Sequence, residues 1–218
     1  MELLQVSDII QLTEFFAKER LCSDFSDAHD FEHTMRVVHH AMELCDELPQ
    51  ADRLTVQLAA LLHDIARPEE SAAKGHVDHA QEGAKMALDF LRREHFPEDK
   101  ALHIAECIAQ HRYRSGSRPT SLEAAILFDA DKLDSLGATG IARSFFFAAK
   151  VGARLHNTAE EALNNPPYGP EDTAYREYLV KLSKVPDQML TVPGKIKAAG
   201  LKIFMDGFFK QLNEEFFK

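Results

Sequence analysis

Apolar residues along this chain recur mostly at intervals of three and four, a spacing that predicts helices. Ile9, Ile10, Leu12, Phe15 and Phe16 mark the first. Val37, Val38, Ala41, Leu44 and Cys45 carry the same period through residues 33–47. Residues 52–66 form the next predicted helix, with Asp52 at its N-cap and Pro68 just past its end. The pattern resumes over 76–94, 99–111 and 121–137, the last opened by Ser121 and stopped near Gly137. Between these stretches, "RPEESAAKG" and "RYRSGSRPTS" read as loops from their Gly, Pro and Ser content. Alternation of period two is absent over any useful length, so the predicted fold class is all-α.

Past Gly140, "IARSFFFAAKVGARLHN" reads as one further helix and "NNPPYGP" as a break, with helical stretches following near 171–183 and 194–215. The tail after the break is too short to bury a core of its own. The reading is therefore a single domain over 1–218: a helical core of about 20–137, and a helical extension, 138–218, packed on it.

A chain of 218 residues with 45% hydrophobic and 28% charged positions is that of a globular protein with one sizeable core. No apolar run approaches the roughly 18 residues that span a bilayer. Glu2, Asp8 and Glu14 fall where a secretory signal would be basic and then unbroken apolar, so no membrane association and a cytoplasmic location are expected. Cys22, Cys45 and Cys107 are scattered and odd in number, which suggests small buried residues rather than a disulfide framework or a thiolate metal site. The net charge of −10 argues against a nucleic-acid polymer as partner, while leaving room for a small phosphorylated substrate held by local cations.

The apolar run "LAALLHDIARPEE" ends in His63 and Asp64, two residues costly to bury without a partner. Three other pieces carry similar chemistry: "DFEHTMRV" with His33, "IAQHRYR" with His111, and "DADKLD" with Asp129, Asp131 and Asp134. Imidazole and carboxylate donors together suit a divalent ion such as Mn²⁺, Fe²⁺, Co²⁺ or Ni²⁺, and tolerate Mg²⁺ or Zn²⁺. Neighbouring residues on a helix point about 100° apart, so His63 and Asp64 can both reach one ion beside it.

In this order, a His after Asp-x-x, a His-Asp pair closing an apolar helix and a distant Asp in "DADKLDSLGATGIAR" resemble the HD superfamily of metal-dependent phosphohydrolases. The similarity covers roughly residues 20–137. It is strongest to small stand-alone members that include nucleoside triphosphate pyrophosphohydrolases. The resemblance implies an HD-type helical bundle. It also implies one divalent ion held by His33, His63, Asp64 and Asp131, and hydrolysis of a phosphate ester or anhydride in a nucleotide or similar metabolite, with Asp64 part of the catalytic centre.

His111 reads foremost as a contact to the substrate phosphate or behind the metal, with a second metal and a plain helix-end histidine as alternatives. For His79 and His76 the plain structural reading leads. Lys132 adjoins Asp131 and is placed to neutralise a substrate phosphate, against the reading of a solvated helix lysine. Arg36, one turn from His33, either steadies a ligand carboxylate or pairs on the surface. Asp30 reads as an N-cap ahead of an orienting partner for His33.

One position departs from the family pattern. Several relatives place an acidic residue about three positions after the His-Asp pair, where this chain has Arg67. Glu69 and Glu70 come next, in what reads as an exposed acidic loop, and Arg67 or Lys74 could meet a phosphate. The group that moves the proton is left unassigned. The "FFFAA" stripe and the Phe-rich end pack the extension or a partner subunit, and an exposed apolar C-terminal helix would imply a homodimer. Two other readings stay open: a non-catalytic nucleotide sensor that signals through its C-terminal helices, and a buried polar network with no ion.

Overall fold

The structure is a computed structural model, described here for residues 6–21, 30–112 and 118–217. Among these there is no β-strand, and no helix is long and apolar enough to cross a membrane. The chain divides into two compact units, residues 1–131 and 132–218.

The first unit is arranged about α3 (Arg53–Leu62). Val56, Leu58, Ala59, Ala60, Leu61 and Leu62 are all buried, so this helix is apolar almost all round, as a central helix must be. Around it pack α1 (Val6–Leu21), α2 (Phe31–Glu47), α5 (His79–Arg93) and α6 (Glu98–Gln110). The caps follow the sequence closely. Asp30 accepts a hydrogen bond from the His33 amide at 2.8 Å, and Asp52 accepts from the amides of Leu54 and Thr55. Ser121 Oγ accepts from the Ala124 amide at the start of α7 (Leu122–Leu133).

The stretch read as the loop "RPEESAAKG" instead holds a short helix, α4 (Arg67–Ala72). Pro68 is no obstacle there because it sits in the first turn, where its missing N–H has no intrahelical partner to lose. Cys45 and Cys107 are buried free thiols, and burial pushes them up to about 11 and about 12. Both are buried, as expected, and the raised values leave little of the reactive thiolate. Cys22 and residues 113–117 of "RYRSGSRPTS" lie outside the described residues.

In the second unit, α8 (Gly137–Lys150) and α10 (Ala174–Val180) pack together, α9 (Ala159–Asn164) lies on α10, and a 3₁₀ helix (Leu182–Gln188) joins α10 to α11 (Val192–Phe217). The single helix expected over 141–157 ends at Lys150. Gly152 has φ +73°, and the amides of Gly152 and Ala153 bond back to Ala149 O and Ala148 O, a glycine-closed helix end that side-chain periodicity does not reveal. The helix expected over 171–183 is likewise split into α10 and the 3₁₀ helix.

Candidate metal centre

Local folding delivers each chemical group to the centre of the first unit. His33 sits one turn into α2 and is fully buried. His63 is the C-cap of α3 with helical backbone angles, so its ring continues the helix surface, and Asp64 follows in the turn to α4. Asp131 comes from the last turn of α7.

These four are brought together. His33 Nε2 lies 3.6 Å from Asp64 Oδ2 and 3.5 Å from Asp131 Oδ1, and His63 Nε2 lies 3.5 Å from Asp64 Oδ2. Such separations are long for hydrogen bonds. They suit donors sharing one ion, since two atoms each roughly 2.1 Å from a metal cannot be more than about 4.2 Å apart. His33, His63 and Asp131 form one group able to hold a metal.

His63 provides the sharpest test of fit. Its Nδ1 donates to Ala60 O at 2.8 Å, which fixes the tautomer and leaves Nε2 with a lone pair. That Nε2 is buried and makes no hydrogen bond. Burial, only partly offset by Asp64, pushes the imidazole down to about 4, so it is neutral at physiological pH. A neutral, oriented, buried nitrogen among carboxylates is the donor a divalent ion needs, and the residues present fit one.

A second group, Asp64, His79 and His111, is wholly buried alongside. Asp64 Oδ1 stands 3.2 Å from His79 Nε2 and 3.7 Å from His111 Nε2. His111 Nδ1 donates to Ile108 O at 2.7 Å, and His79 Nδ1 donates to Glu70 Oε2 at 2.8 Å, so both Nε2 atoms turn inward. The plain reading of His79 is therefore corrected: it opens α5 from a fully buried position, 3.3 Å from His111. His76 stays exposed, in keeping with that reading.

Glu70 is corrected too. It is not part of an exposed acidic loop, because α4 carries its carboxylate inward, where Arg67 meets it at 3.0 Å and Arg112 at 2.5 Å. Burial opposes its ionisation, but the Arg112 hydrogen bond and the nearby charges win and hold the carboxyl down to about 2. Arg67 also places Nε 3.0 Å from Asp64 Oδ1. Sequence reasoning missed the Glu70–His79 contact because it depends on a helix that the Gly and Ser content had disguised.

The other candidates are spread out. Asp129 is buried on α7, and Asp134, in the second unit, is held by Arg143 at 2.5 Å. Lys132 follows Asp131 on α7 and is part-exposed, as are Arg36 on α2 and Glu69, which pairs with Arg20. Lys74 is exposed, with φ +50° at the end of α4.

A family model described as the HD domain matches residues 30–136. The protein YpgQ of Bacillus subtilis is 30% identical over 199 residues, which is 90% of this chain and 89% of that one. An archaeal dihydroneopterin 2',3'-cyclic phosphate phosphodiesterase, from Methanocaldococcus jannaschii, is 31% identical over 112 residues, 48% of this chain and 45% of that one. Among solved structures, an HD-superfamily hydrolase from Bacillus thuringiensis aligns with TM-score 0.75 and 30% identity, covering 97% of this chain and 98% of that one. YpgQ in complex with ADP aligns with TM-score 0.74 at 24% identity, covering 97% of each.

Proposed function

Since the chain belongs to the HD-domain superfamily, we propose that it is a divalent-metal-dependent phosphohydrolase acting on a nucleotide or a similar small phosphorylated metabolite. The observation that carries this reading is the convergence of His33, His63, Asp64 and Asp131 on a common point, with His63 Nε2 buried there and lacking a hydrogen bond. The phosphodiesterase relative supports P–O bond hydrolysis, and the ADP complex of YpgQ supports a nucleotide.

His33, His63, Asp64 and Asp131 hold one ion. When bound, it supplies Lewis acidity to a phosphoryl oxygen and acidifies a water. The remaining groups act around that set. Arg67, whose Nε meets Asp64 Oδ1, already supplies positive charge on the side facing His79 and His111, which opposes a second dication there by like-charge repulsion. His79 and His111 then serve the substrate, presenting Nε2 atoms that hydrogen-bond a phosphate oxygen or hold a proton. Lys132, next along the chain from Asp131, is assigned to neutralise the phosphate on its sequence position alone.

The reading is tested by screening purified protein with Mn²⁺, Co²⁺, Ni²⁺ and Mg²⁺ against a nucleotide panel, identifying the released anion and counting bound metal by elemental analysis. Turnover with one ion per chain is expected, and Asp64→Ala and His63→Ala should lose metal and activity together. Full metal occupancy in Asp64→Ala overturns the ligand set, and two ions per chain overturn the assignment of His79 and His111.

A further inference from the structure

Helix α4 has little of its own to hold it in place. It is six residues long, none of them buried, and its N-cap, Ala66, makes no side-chain hydrogen bond. Neither apolar packing nor helix propensity sustains so short an element, yet α4 carries Arg67 and Glu70 into the centre. Polar contacts must therefore fix it. Arg67 and Glu70 supply two of these from within, through Asp64 and His79.

A further contact comes from outside the centre. Arg20 stands near the end of α1, ahead of the stretch that the HD-domain model matches. Its Nε donates to Ile65 O at 3.3 Å, and its Nη2 donates to Glu69 Oε1. Ile65 is the residue after Asp64 in the turn between α3 and α4, and Glu69 lies in the middle of α4. One guanidinium thus grips both the turn that presents Asp64 and the helix that presents Arg67 and Glu70. Its planar fork suits this, because the two donors leave in fixed, different directions, whereas an ammonium gathers its donors at one point.

Asp64 is the carboxylate that the whole centre shares. Its Oδ2 faces His33 and His63, while its Oδ1 faces His79 and Arg67. A small rotation of its turn moves both oxygens at once. We propose, on the metal-centre reading above, that Arg20 is a positioning residue: by clamping Ile65 O and Glu69 it sets the turn from which Asp64 reaches the ion. The Arg20 and Glu69 side chains are 30% and 37% exposed, and ion pairs so placed add little to overall stability. Loss of Arg20 is therefore felt at the ion more than in folding.

The metal-free, full-length protein is titrated with Mn²⁺ by isothermal titration calorimetry, and its melting temperature is measured without metal. Removing a group that orients a metal ligand weakens binding by about 10- to 100-fold, and Arg20, which acts through a neighbouring peptide, belongs at the lower end. Arg20→Ala should raise the Mn²⁺ dissociation constant by about tenfold while the metal-free melting temperature stays within about 3 °C of the parent. Arg20→Lys keeps the stem and the charge but not the fork, and should raise the constant by less. Glu69→Ala should raise it too, and Arg20→Ala combined with Glu69→Ala should bind no more weakly than Arg20→Ala alone, because the carboxylate acts through the guanidinium.

A parent-like constant in Arg20→Ala overturns the inference, whatever the melting temperature. If Arg20→Ala fails to fold, a parent-like constant in Arg20→Lys overturns it instead. A double variant in which the two losses multiply overturns the clamp on Glu69. A parent protein that takes up no Mn²⁺ overturns the metal-centre reading, and the role of Arg20 with it.

Discussion

Glu70 shows how a single side chain can change its meaning between sequence and structure. It stands three residues beyond Arg67, which occupies the position where relatives place an acid, so it invites reading as a displaced acid or base. Its carboxylate is instead committed to Arg67, Arg112 and His79. A carboxylate held ionised by two guanidinium groups is a poor proton donor, and its service is to fix the tautomer and direction of the His79 ring. Glu70→Ala should therefore lower kcat/KM by up to about 100-fold through misplacement of His79, while elemental analysis finds the metal content unchanged. Glu70→Gln, which keeps an acceptor for His79 Nδ1–H, should recover much of the loss. Equal damage from both variants, or loss of metal in either, would count against a positioning role. His33, His63, Asp64 and Asp131 were legible in the sequence because their order along the chain is itself a pattern. The contacts of Glu70 with His79 and Arg112 were not, since they join separate elements whose approach depends on the path of α4.

At the scale of elements, the caps were readable and the terminations less so. Asp52 illustrates the first: its carboxylate caps α3, accepts from Lys100 at 2.8 Å on α6, and leaves its own amide to donate to Glu123 of α7. One residue thus ties two helices, α6 and α7, to the start of the one that delivers His63 and Asp64. Loss of such a cap costs about 1 kcal/mol, so Asp52→Ala should lower the stability of the first unit by about that amount at pH 7, read from denaturant titration. Burial raises the pKa of this carboxyl, but the Lys100 and Thr55 hydrogen bonds outweigh it and leave the folded value below 3.8. A group whose folded pKa is depressed contributes its stability above the unfolded pKa and loses it as pH falls through the folded one. The gap between parent and Asp52→Ala should accordingly persist down to about pH 4 and narrow below it. A gap that stays constant to pH 3 would show that the cap's charge adds nothing. The ends of α8 and α4 were misjudged because helical periodicity records which face is apolar. It does not record where a backbone turns left-handed, as at Gly152, or where a proline stands early enough to start a helix, as at Pro68.

For the whole molecule, the arrangement of donors determines how a bound ion is felt. His33 and Asp131 lie almost a hundred positions apart in the first unit, while His63 and Asp64 close its central helix. An unfolded chain offers these side chains no common position, so an ion bound to them stabilises only the native state. At a free concentration 100 times its dissociation constant it adds about 2.7 kcal/mol. Thermal unfolding of the metal-free protein should therefore shift upward on addition of Mn²⁺, by several degrees for a unit of this size, and return on chelation. The shift should be absent in Asp64→Ala. This separates the metal centre from a buried polar network, because a network of imidazoles and carboxylates satisfied among themselves has no reason to respond to either reagent. Catalysis does not enter the measurement, so a protein that binds an ion and a nucleotide without turning it over would still show the shift, and an unshifted melt would remove the centre whatever the substrate.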